Sequence, residues 1–439
     1  MRAVGAAGGS STAASGSFTL TFSSGAGIYD VLTVAVDKAG NREGAAANPP
    51  AAGATPKSSV RSISWAAGAK VNTDTGTALQ DNAAYVVGSD GTVYAVWEDS
   101  RNGNTDIYFS SRNPSTGVWA TETKLNTDTG TTGQRTPSIA IDGSNNLYVV
   151  WADDRNGSTN TDIYFAKRTG TTWSANIKVN SDTATAVQSQ PRISVSSAGI
   201  AVAVWYDARS SQVNIYSARL AAGSTTWSTN YNITTSNTSA VKAAPDVAVA
   251  SDGTAWATWQ DNRTGGGDIY TASLGPTATA WSTNTKVSDD STTSGLDKSP
   301  RIGLTSANLP VVAYLDGRST NAAVRVVNRT SGGTWNASVA VSDSSAKPAT
   351  GLALAVKADG GVIVAWDDTR STSAIWGAQC EAGSGTSSVM RCATPEKWSD
   401  QTGASYRPTL FASATKVYLG WRDDTAGGGD IRIRLRTPS

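Results

Sequence analysis

One short motif occurs seven times along this chain at nearly constant spacing. Each copy has apolar residues before Trp-x-Asp-x-Arg or a close variant, followed by a polar stretch, and four copies continue into Asp-Ile-Tyr or Asn-Ile-Tyr. The copies begin at Trp97, Trp151, Trp205, Trp259, Tyr314, Trp366 and Trp421. Their spacing is 52 to 55 residues. A constant period of this size indicates one supersecondary unit that is repeated.

The stretch from 137 to 182 shows what one repeat contains. Apolar runs at 137–142 and 147–151, an alternating run at 162–168 and a fourth run at 173–179 are separated by turn residues. Four short strands without helical periodicity predict an all-β unit. A four-stranded antiparallel meander repeated around an axis is a β-propeller blade, so the sequence predicts a seven-bladed β-propeller.

The last repeat ends without a fourth strand, and a matching segment lies before the first repeat. Residues 65–74 match residues 173–182 of the model repeat, with a tryptophan followed by Lys-Val-Asn-x-Asp. We therefore expect residues 60–72 to complete the last blade and the propeller to span 60–439. Such closure hides the edge strands that an open sheet exposes.

The residues before the propeller do not follow the repeat. Segments 17–22 and 29–37 read as strands, and 29–41 resembles the last strands of bacterial immunoglobulin-like modules. This resemblance implies a partial β-sandwich-like appendage at 1–45, and the proline-containing stretch 46–59 is predicted to be a linker. The start of the chain lacks the apolar segment of a signal peptide, and we expect a longer natural protein.

The repeats themselves resemble the sialidase-like propeller repeats of secreted bacterial proteins, which include sialidases and non-catalytic lectins. The resemblance covers about residues 60–439. The Asp-box of those repeats, Ser-x-Asp-x-Gly-x-x-Trp, is reduced here to its glycine and tryptophan at 111–119 and 168–173. The departure puts the family's activity in doubt, and the chain is interpreted as a non-catalytic member.

Composition excludes several partners and favours an extracellular location. The net charge is +1 and no basic run occurs, so nucleic acid is not an expected partner, and no apolar stretch is long enough to span a membrane. Cys380 and Cys392 lie in one insertion, which favours a disulfide over two free thiols and an oxidising compartment. We predict a secreted or cell-surface protein of a bacterium or archaeon.

Antiparallel strand order places the loop between the second and third strands on the same face as the connection between blades. This face collects the aspartate and arginine of every motif. The candidate binding residues are Asp99, Arg101, Asp153, Arg155, Asp207, Arg209, Asp261, Arg263, Asp316, Arg318, Asp368 and Arg370.

Three interpretations of this ring compete. The first is structural, because Asp side chains bond nearby backbone groups in turns and Arg can bind a carboxylate with two hydrogen bonds. The second is calcium binding by the acidic loops at 153–162 and 367–368. The arginine in each loop offsets that charge, so no cofactor is predicted and calcium is the alternative.

The third interpretation is sialidase catalysis. Glycoside hydrolysis needs two catalytic groups in distinct environments at one place, whereas the arginine, aspartate and tyrosine recur from blade to blade. The chain also contains no histidine. We therefore predict that the protein is not an enzyme and has no catalytic residues, and sialidase activity is the least favoured alternative.

Three aromatic residues break the repeat and are candidate platforms for sugar rings: Tyr206, Trp256 and Trp376. The predicted function is a non-catalytic extracellular module for adhesion or assembly. The predicted partners, contacted through the N-terminal strands, are other copies of the chain or another extracellular protein. The alternative function is a multivalent glycan-binding lectin.

Overall fold

The computed structural model of the chain describes residues 65–436 apart from short gaps at 184, 211, 235–239, 290–295, 318–322, 358–359, 371–372, 382–389, 401–402, 414–415 and 426–428. The predicted appendage (1–45) and linker (46–59) lie outside the described residues. Every regular element in the described part is a β-strand. No helix there is long and apolar enough to cross a membrane.

The strands, numbered β1 to β30 in chain order, form seven antiparallel sheets that are the seven blades. This confirms the predicted all-β, seven-bladed propeller. The inner strands of blades 1 to 7 are β2 (Gln80–Val87), β6 (Gln134–Ile141), β11 (Gln188–Val195), β15 (Lys242–Val249), β19 (Lys298–Leu304), β23 (Pro348–Val356) and β28 (Ser405–Ala412). The second strands are β3 (Val93–Asp99), β7 (Leu147–Asp153), β12 (Ala201–Asp207), β16 (Ala255–Asp261), β20 (Pro310–Asp316), β24 (Val362–Asp368) and β29 (Val417–Asp423).

The two outer positions of each blade follow in the same order. The third strands are β4 (Asp106–Arg112), β8 (Asp162–Thr169), β13 (Asn214–Leu220), β17 (Asp268–Leu274), β21 (Ala323–Asn328), β25 (Ala374–Glu381) and β30 (Asp430–Arg436). The outer strands are β5 (Thr123–Lys124), β9 (Thr172–Trp173) with β10 (Ile177–Lys178), β14 (Tyr231–Asn232), β18 (Thr285–Lys286), β22 (Val339–Ala340), β26 (Arg391–Cys392) with β27 (Glu396–Lys397), and β1 (Ala69–Lys70).

The ring is closed by the strand that comes first in the sequence. In blade 7, β1 pairs with β30, with Ala69 opposite Ile433, and Trp65 forms a further bridge to Arg436. Each inner strand contacts the inner strands of the blades on both sides, including β28 with β2. The predicted completion of the last blade by residues before the first repeat is therefore confirmed.

Hydrophobic cores lie between neighbouring blades. Between blades 2 and 3, Val150 and Ile163 belong to the same buried cluster as Ala203 and Trp205. The motif tryptophans are among the largest fully buried side chains. Burying such a ring contributes on the order of 2–3 kcal/mol, so the tryptophan recurs because each blade needs it for packing.

Six inner strands carry the same β-bulge close to their first residue. In β6 the register shifts between Arg135 and Ser138, and Thr136 has a φ of 51°. The equivalent left-handed residues are Asn82, Gln190, Ala244, Ser299 and Arg407. A bulge redirects nearby side chains. It lies at the end of the blade that carries the motif loops, because Gln80 at the start of β2 pairs with Asp99 at the end of β3. We call this end of the propeller the loop face.

Blade 6 contains the two cysteines. Cys380 on β25 lies opposite Cys392 on β26, and the two form a disulfide. The bridge links the third strand of the blade to its outer strand across an insertion that other blades lack.

Candidate functional site

In blade 1 the motif aspartate accepts hydrogen bonds from its own strand and turn. Asp99 is fully buried, and its Oδ2 accepts bonds from Trp97 Nε1 at 2.9 Å and Arg101 Nη2 at 2.5 Å. Its Oδ1 accepts bonds from Arg101 N at 3.0 Å and Arg101 Nε at 2.9 Å. The guanidinium lies 4.4 Å from the Tyr108 ring centroid. The two-fold ion pair and the ring contact together hold the turn after β3.

Four other blades repeat this arrangement of tryptophan, aspartate, arginine and aromatic ring. The four sets are Trp151, Asp153, Arg155 and Tyr164; Trp205, Asp207, Arg209 and Tyr216; Trp259, Asp261, Arg263 and Tyr270; and Trp366, Asp368, Arg370 and Trp376. Each aspartate and arginine thus has a role in holding its own turn. A ligand-binding role for the ring stays a prediction.

Blades 5 and 7 hold their motif aspartate with an arginine from a different position. Arg325 on β21 pairs with Asp316, and Arg432 on β30 pairs with Asp423. Both arginines occupy the third-strand position that is aromatic in the other five blades. The candidate Arg318 of blade 5 lies outside the described residues, and blade 7 has Thr425 where the motif has arginine.

The second polar segment of the repeat ties one blade to the next. Asn126 follows β5, and its Nδ2 donates to Asp106 Oδ1 at 2.9 Å and to Gln134 Oε1 of blade 2 at 2.8 Å. Gln134 in turn donates to Asp153 at 3.4 Å. Although burial acts to raise it, the pKa of Asp106 is below its usual value because Lys124 and Asn126 donate hydrogen bonds to the carboxylate. These segments connect adjacent blades at the loop face.

The three aromatic candidates lie in different environments. Trp376 is the ring under Arg370, with 4.0 Å between the guanidinium carbon and the ring centroid. Trp256 packs edge-on against Trp335 at 6.4 Å, and Arg329 lies 4.9 Å from its centroid. Tyr206 is partly exposed and immediately precedes the motif aspartate on β12. Of the three, Tyr206 is the one beside the bulges of the inner strands.

The position of Tyr206 holds a different residue in every blade, whereas the neighbouring motif residues recur from blade to blade. From blade 1 to blade 7 it holds Glu98, Ala152, Tyr206, Gln260, Leu315, Asp367 and Arg422. Charged residues at this position therefore occur on blades 6, 7 and 1, which are consecutive around the ring. Together with charged and polar side chains of the bulges they form one group, which we call the axial cluster. It consists of Asp81, Asn82, Glu98, Asp367, Arg407 and Arg422.

Glu98 is a partly exposed acid at the boundary between blades 1 and 2. Its Oε1 accepts bonds from Asn82 Nδ2 at 2.6 Å and from the backbone N of Thr136, the left-handed residue of blade 2, at 2.5 Å. The pKa of Glu98 is above its usual value, first because burial removes solvent and also because Asp81 is negative; the two hydrogen bonds and Arg407 oppose this. The protonated form of Glu98 is thus more favoured than that of a solvent-exposed glutamate.

Asp81 lies directly opposite Glu98 in the sheet and has a different environment. Its Oδ2 lies 3.2 Å from Arg422 Nη1 and 3.3 Å from Arg407 Nη1, and its side chain is 8% exposed. Both arginines belong to blade 7, and Arg407 also donates to Asn82. Opposed residues on one face have Cβ atoms about 5 Å apart, so an ion-paired carboxylate and a carboxyl group with a raised pKa are neighbours.

Asp367 is the counterpart of Glu98 on blade 6. Its Oδ1 accepts bonds from Gly351 N at 2.7 Å and Thr350 N at 3.2 Å. Burial raises the pKa of this carboxyl, against hydrogen bonds from backbone groups that include the N–H of Arg407. Asp367 and Glu98 therefore each accept the backbone N–H of a left-handed residue on the next blade, Arg407 and Thr136 respectively. Arg407 connects Asp367 to Asp81, because its backbone bonds the first and its side chain the second.

Reasoning from the sequence missed this cluster and found only Tyr206 at its level. The motif residues recur from blade to blade, whereas the residues of the axial cluster differ between blades and belong to no repeated motif. Position by position, the residue before the motif aspartate differs in all seven copies and is charged in three of them. That variation is the available sequence signal for an asymmetric site.

Among the described residues, no group of three or more Asp, Glu, Cys or His side chains is arranged to hold a metal ion. The loops proposed for calcium, around Asp153 and Asp368, instead hold the guanidinium groups of Arg155 and Arg370. Calcium binding stays the alternative to the prediction that the protein has no cofactor.

No protein-family model matches the sequence, and no curated protein sequence matches it. Solved structures do match the fold. An α-L-arabinofuranosidase of Fusarium graminearum is 12% identical with a TM-score of 0.51, covering 85% of this chain and 98% of its own. A polysaccharide lyase described as an ulvan lyase is 10% identical with a TM-score of 0.56, covering 86% and 96%. A protein of unknown function from Dyadobacter fermentans is 12% identical with a TM-score of 0.50, covering 70% and 95%.

These likenesses show a shared propeller fold, and a sialidase-like propeller is consistent with them at that level. They correct two predictions: that the protein is a non-catalytic adhesion or assembly module, and that it is not an enzyme. Propellers of this fold include a glycoside hydrolase and a polysaccharide lyase, so repetition is no argument against catalysis. Repetition bears only on the residues that recur in every blade, and it leaves out acids such as Glu98 and Asp367 that do not recur.

Proposed function

We propose that this protein is a carbohydrate-active propeller that hydrolyses a glycan at the axial cluster. The observation that carries the proposal is the pair Asp81 and Glu98, which are opposite each other in blade 1 but differ in environment. Glu98 has a raised pKa and Asp81 is held by two arginines. Two carboxyl groups with separate environments are the minimum for glycoside cleavage.

Each acid has a defined role in the proposed reaction. The Glu98 carboxyl donates its proton to the glycosidic oxygen as the bond to the sugar carbon breaks. The carboxylate of Asp81 stabilises the positive charge that develops on the sugar ring. Water then adds to the sugar carbon and gives up a proton to the Glu98 carboxylate, which completes hydrolysis and restores the acid. Arg407 and Arg422 keep Asp81 oriented.

The comparisons support the substrate class. The similar structures include an α-L-arabinofuranosidase in complex with arabinobiose and an ulvan lyase. Both share the propeller over more than four fifths of this chain. Polysaccharides are therefore the first substrates to test.

The test is a polysaccharide screen with the full chain, reading release of reducing ends and identifying products by chromatography. We expect hydrolysis of at least one polysaccharide. Glu98→Gln keeps the oxygen that accepts the Thr136 N–H, so it should fold normally and lower kcat by roughly 10²–10⁴. The matched control is Gln260→Ala, which changes the equivalent position of blade 4 and should keep kcat within about twofold.

The proposal also predicts a pH dependence. Glu98 must be protonated to act, so activity falls as pH rises through its raised pKa. Asp81→Asn should lower kcat because it removes the stabilising carboxylate. It also removes a negative charge that raises the pKa of Glu98, so the alkaline fall of the residual activity should move to lower pH. An unsaturated product, or full activity in Glu98→Gln, would contradict the hydrolytic role.

A second candidate is glycan binding without cleavage, favoured by the partly exposed ring of Tyr206 at the same level as the axial cluster. Aromatic rings bind sugars through their apolar faces. If a glycan array detects binding, Tyr206→Ala should weaken it while Trp256→Phe, at a packed ring, leaves it unchanged. Binding that persists in Tyr206→Ala would exclude this ring as the platform.

A secreted or cell-surface location remains part of the proposal. The Cys380–Cys392 disulfide supports it because such bonds persist in oxidising compartments.

A further inference from the structure

A second unrepeated position on the inner strands lies just after the bulge. On each inner strand this position pairs with the second-strand residue that precedes the motif Trp or Tyr, as Ala84 pairs with Val96 before Trp97. From blade 1 to blade 7 it holds Ala84, Ser138, Arg192, Asp246, Arg301, Ala353 and Thr409. Blades 3, 4 and 5 thus place an arginine, an aspartate and an arginine on neighbouring inner strands, apart from blades 6, 7 and 1 that carry the charges of the axial cluster.

The two arginines have few protein partners. Arg192 Nη1 donates to the carbonyl of Pro191 at 3.1 Å, and Arg301 Nη1 donates to the carbonyl of Pro300 at 2.8 Å. No carboxylate in the described part of the chain forms an ion pair with either guanidinium, and their Nε and Nη2 groups have no hydrogen-bond acceptor there. By contrast, the five motif arginines in the described part of the chain each bind an aspartate with two nitrogens or more.

The carboxylate between them does not neutralise both charges. Asp246 Oδ2 accepts the backbone N–H of Ile302 at 3.0 Å, which ties blade 4 to blade 5. One negative group therefore stands among two positive ones. Burial and the charge of Arg301 lower the pKa of Arg192 to about 10, with Asp246 opposing the effect. Arg192, Asp246 and Arg301 occupy the same position on three successive inner strands, and β15 contacts both β11 and β19. The two guanidinium groups therefore flank one carboxylate, and a bound anion would offset the remaining positive charge.

We propose that Arg192 and Arg301 form an anion-binding site on the inner strands of blades 3 and 5, and that the site binds one oxyanion. The planar guanidinium group suits the paired oxygens of a carboxylate, sulfate or phosphate. Two sources carry this chemistry: a free sulfate or phosphate ion, and the carboxylate or sulfate ester of an acidic glycan. Asp246 limits the net charge of the site to about one, which fits a single anionic group. The site does not depend on the proposed hydrolysis.

The test is isothermal titration calorimetry of the full chain with three probes at constant ionic strength: sodium sulfate, a glucuronate-containing oligosaccharide and neutral arabinobiose. We expect saturable binding of sulfate, of the acidic oligosaccharide, or of both. Arg192→Gln and Arg301→Gln should each weaken that binding at least about tenfold, since each removes charge-assisted hydrogen bonds. Sulfate binding alone assigns a free ion, and binding of the acidic oligosaccharide assigns a glycan.

Two further variants make the result specific. Asp246→Asn keeps an acceptor oxygen for Ile302 N–H but removes the competing charge, so anion binding should tighten several-fold. Arg391→Gln removes an exposed arginine of β26 and should leave binding unchanged. Glu98→Gln should also bind the anion normally, which separates this site from the proposed hydrolysis. The proposal is overturned if neither anionic probe binds, or if the double variant of Arg192 and Arg301 binds as the wild type does.

Discussion

Blade 7 keeps a guanidinium group beside its motif aspartate although the motif arginine is replaced by Thr425. Arg432 reaches the carboxylate of Asp423 from the third strand, where most blades have an aromatic ring. Blade 5 uses Arg325 in the same way. The carboxylate is buried in both blades, and a buried charge without a partner is costly. What each blade retains is thus the ion pair, and two positions can supply its cation.

This exchange predicts a rescue. Arg432→Ala should lower the free energy of unfolding by about 3 kcal/mol, because Asp423 remains buried without its cation. The double variant Thr425→Arg with Arg432→Tyr restores the arrangement of blades 1 to 4 and should recover most of the loss. Denaturant unfolding of the wild type and both variants measures this. An unrescued double variant would show that the two positions are not equivalent.

At the scale of the element, blade 6 keeps the regular outer pairing, with β27 opposite Trp376, and adds its insertion between β25 and β26. The strands β26 and β27 both pair with β25, and the disulfide joins β25 to β26. The inserted segment is therefore held by a covalent bond as well as by the two-residue strand pairings. A covalent link across a short loop stabilises mainly by restricting the unfolded chain.

The variant Cys380→Ser with Cys392→Ser should lower the free energy of unfolding by ~3 kcal/mol if the blade unfolds with the whole propeller. Thermal or denaturant unfolding with and without a reducing agent tests this. The reductant should destabilise the wild type and leave the double variant unchanged. Equal stability of both proteins under oxidising conditions would mean that the loop opens without unfolding the ring.

At the scale of the whole molecule, stability depends on ring closure by the segment before the first repeat. Asn72 follows β1, and its side chain bonds Gln80 of blade 1 at 3.0 Å and Asp430 of blade 7 at 3.2 Å. It also accepts the Ile431 N–H at 3.1 Å. The segment thus fills the outer position of blade 7 and links that blade to blade 1.

Deletion of residues 1–74 should expose the edge of β30, lower the melting temperature and promote association through the free edge. Deletion of residues 1–59 keeps β1 and serves as the control. Thermal unfolding and size-exclusion chromatography distinguish the two. Equal melting temperatures would show that closure contributes little. The predicted partner contact of the N-terminal strands falls outside the described residues and stays a prediction.

The sequence by itself determined the number of blades, their strand order and the strand that closes the ring. These follow from local periodicity and from copies such as Trp65 and Trp173, because each repeat carries the apolar pattern and turns that define it. The sequence did not reveal the axial cluster or the Arg192–Arg301 pair. Their members lie far apart in the chain and have no common motif. Only the closed ring, which brings the inner strands of all blades around one axis, makes Glu98, Asp81 and Arg407 neighbours.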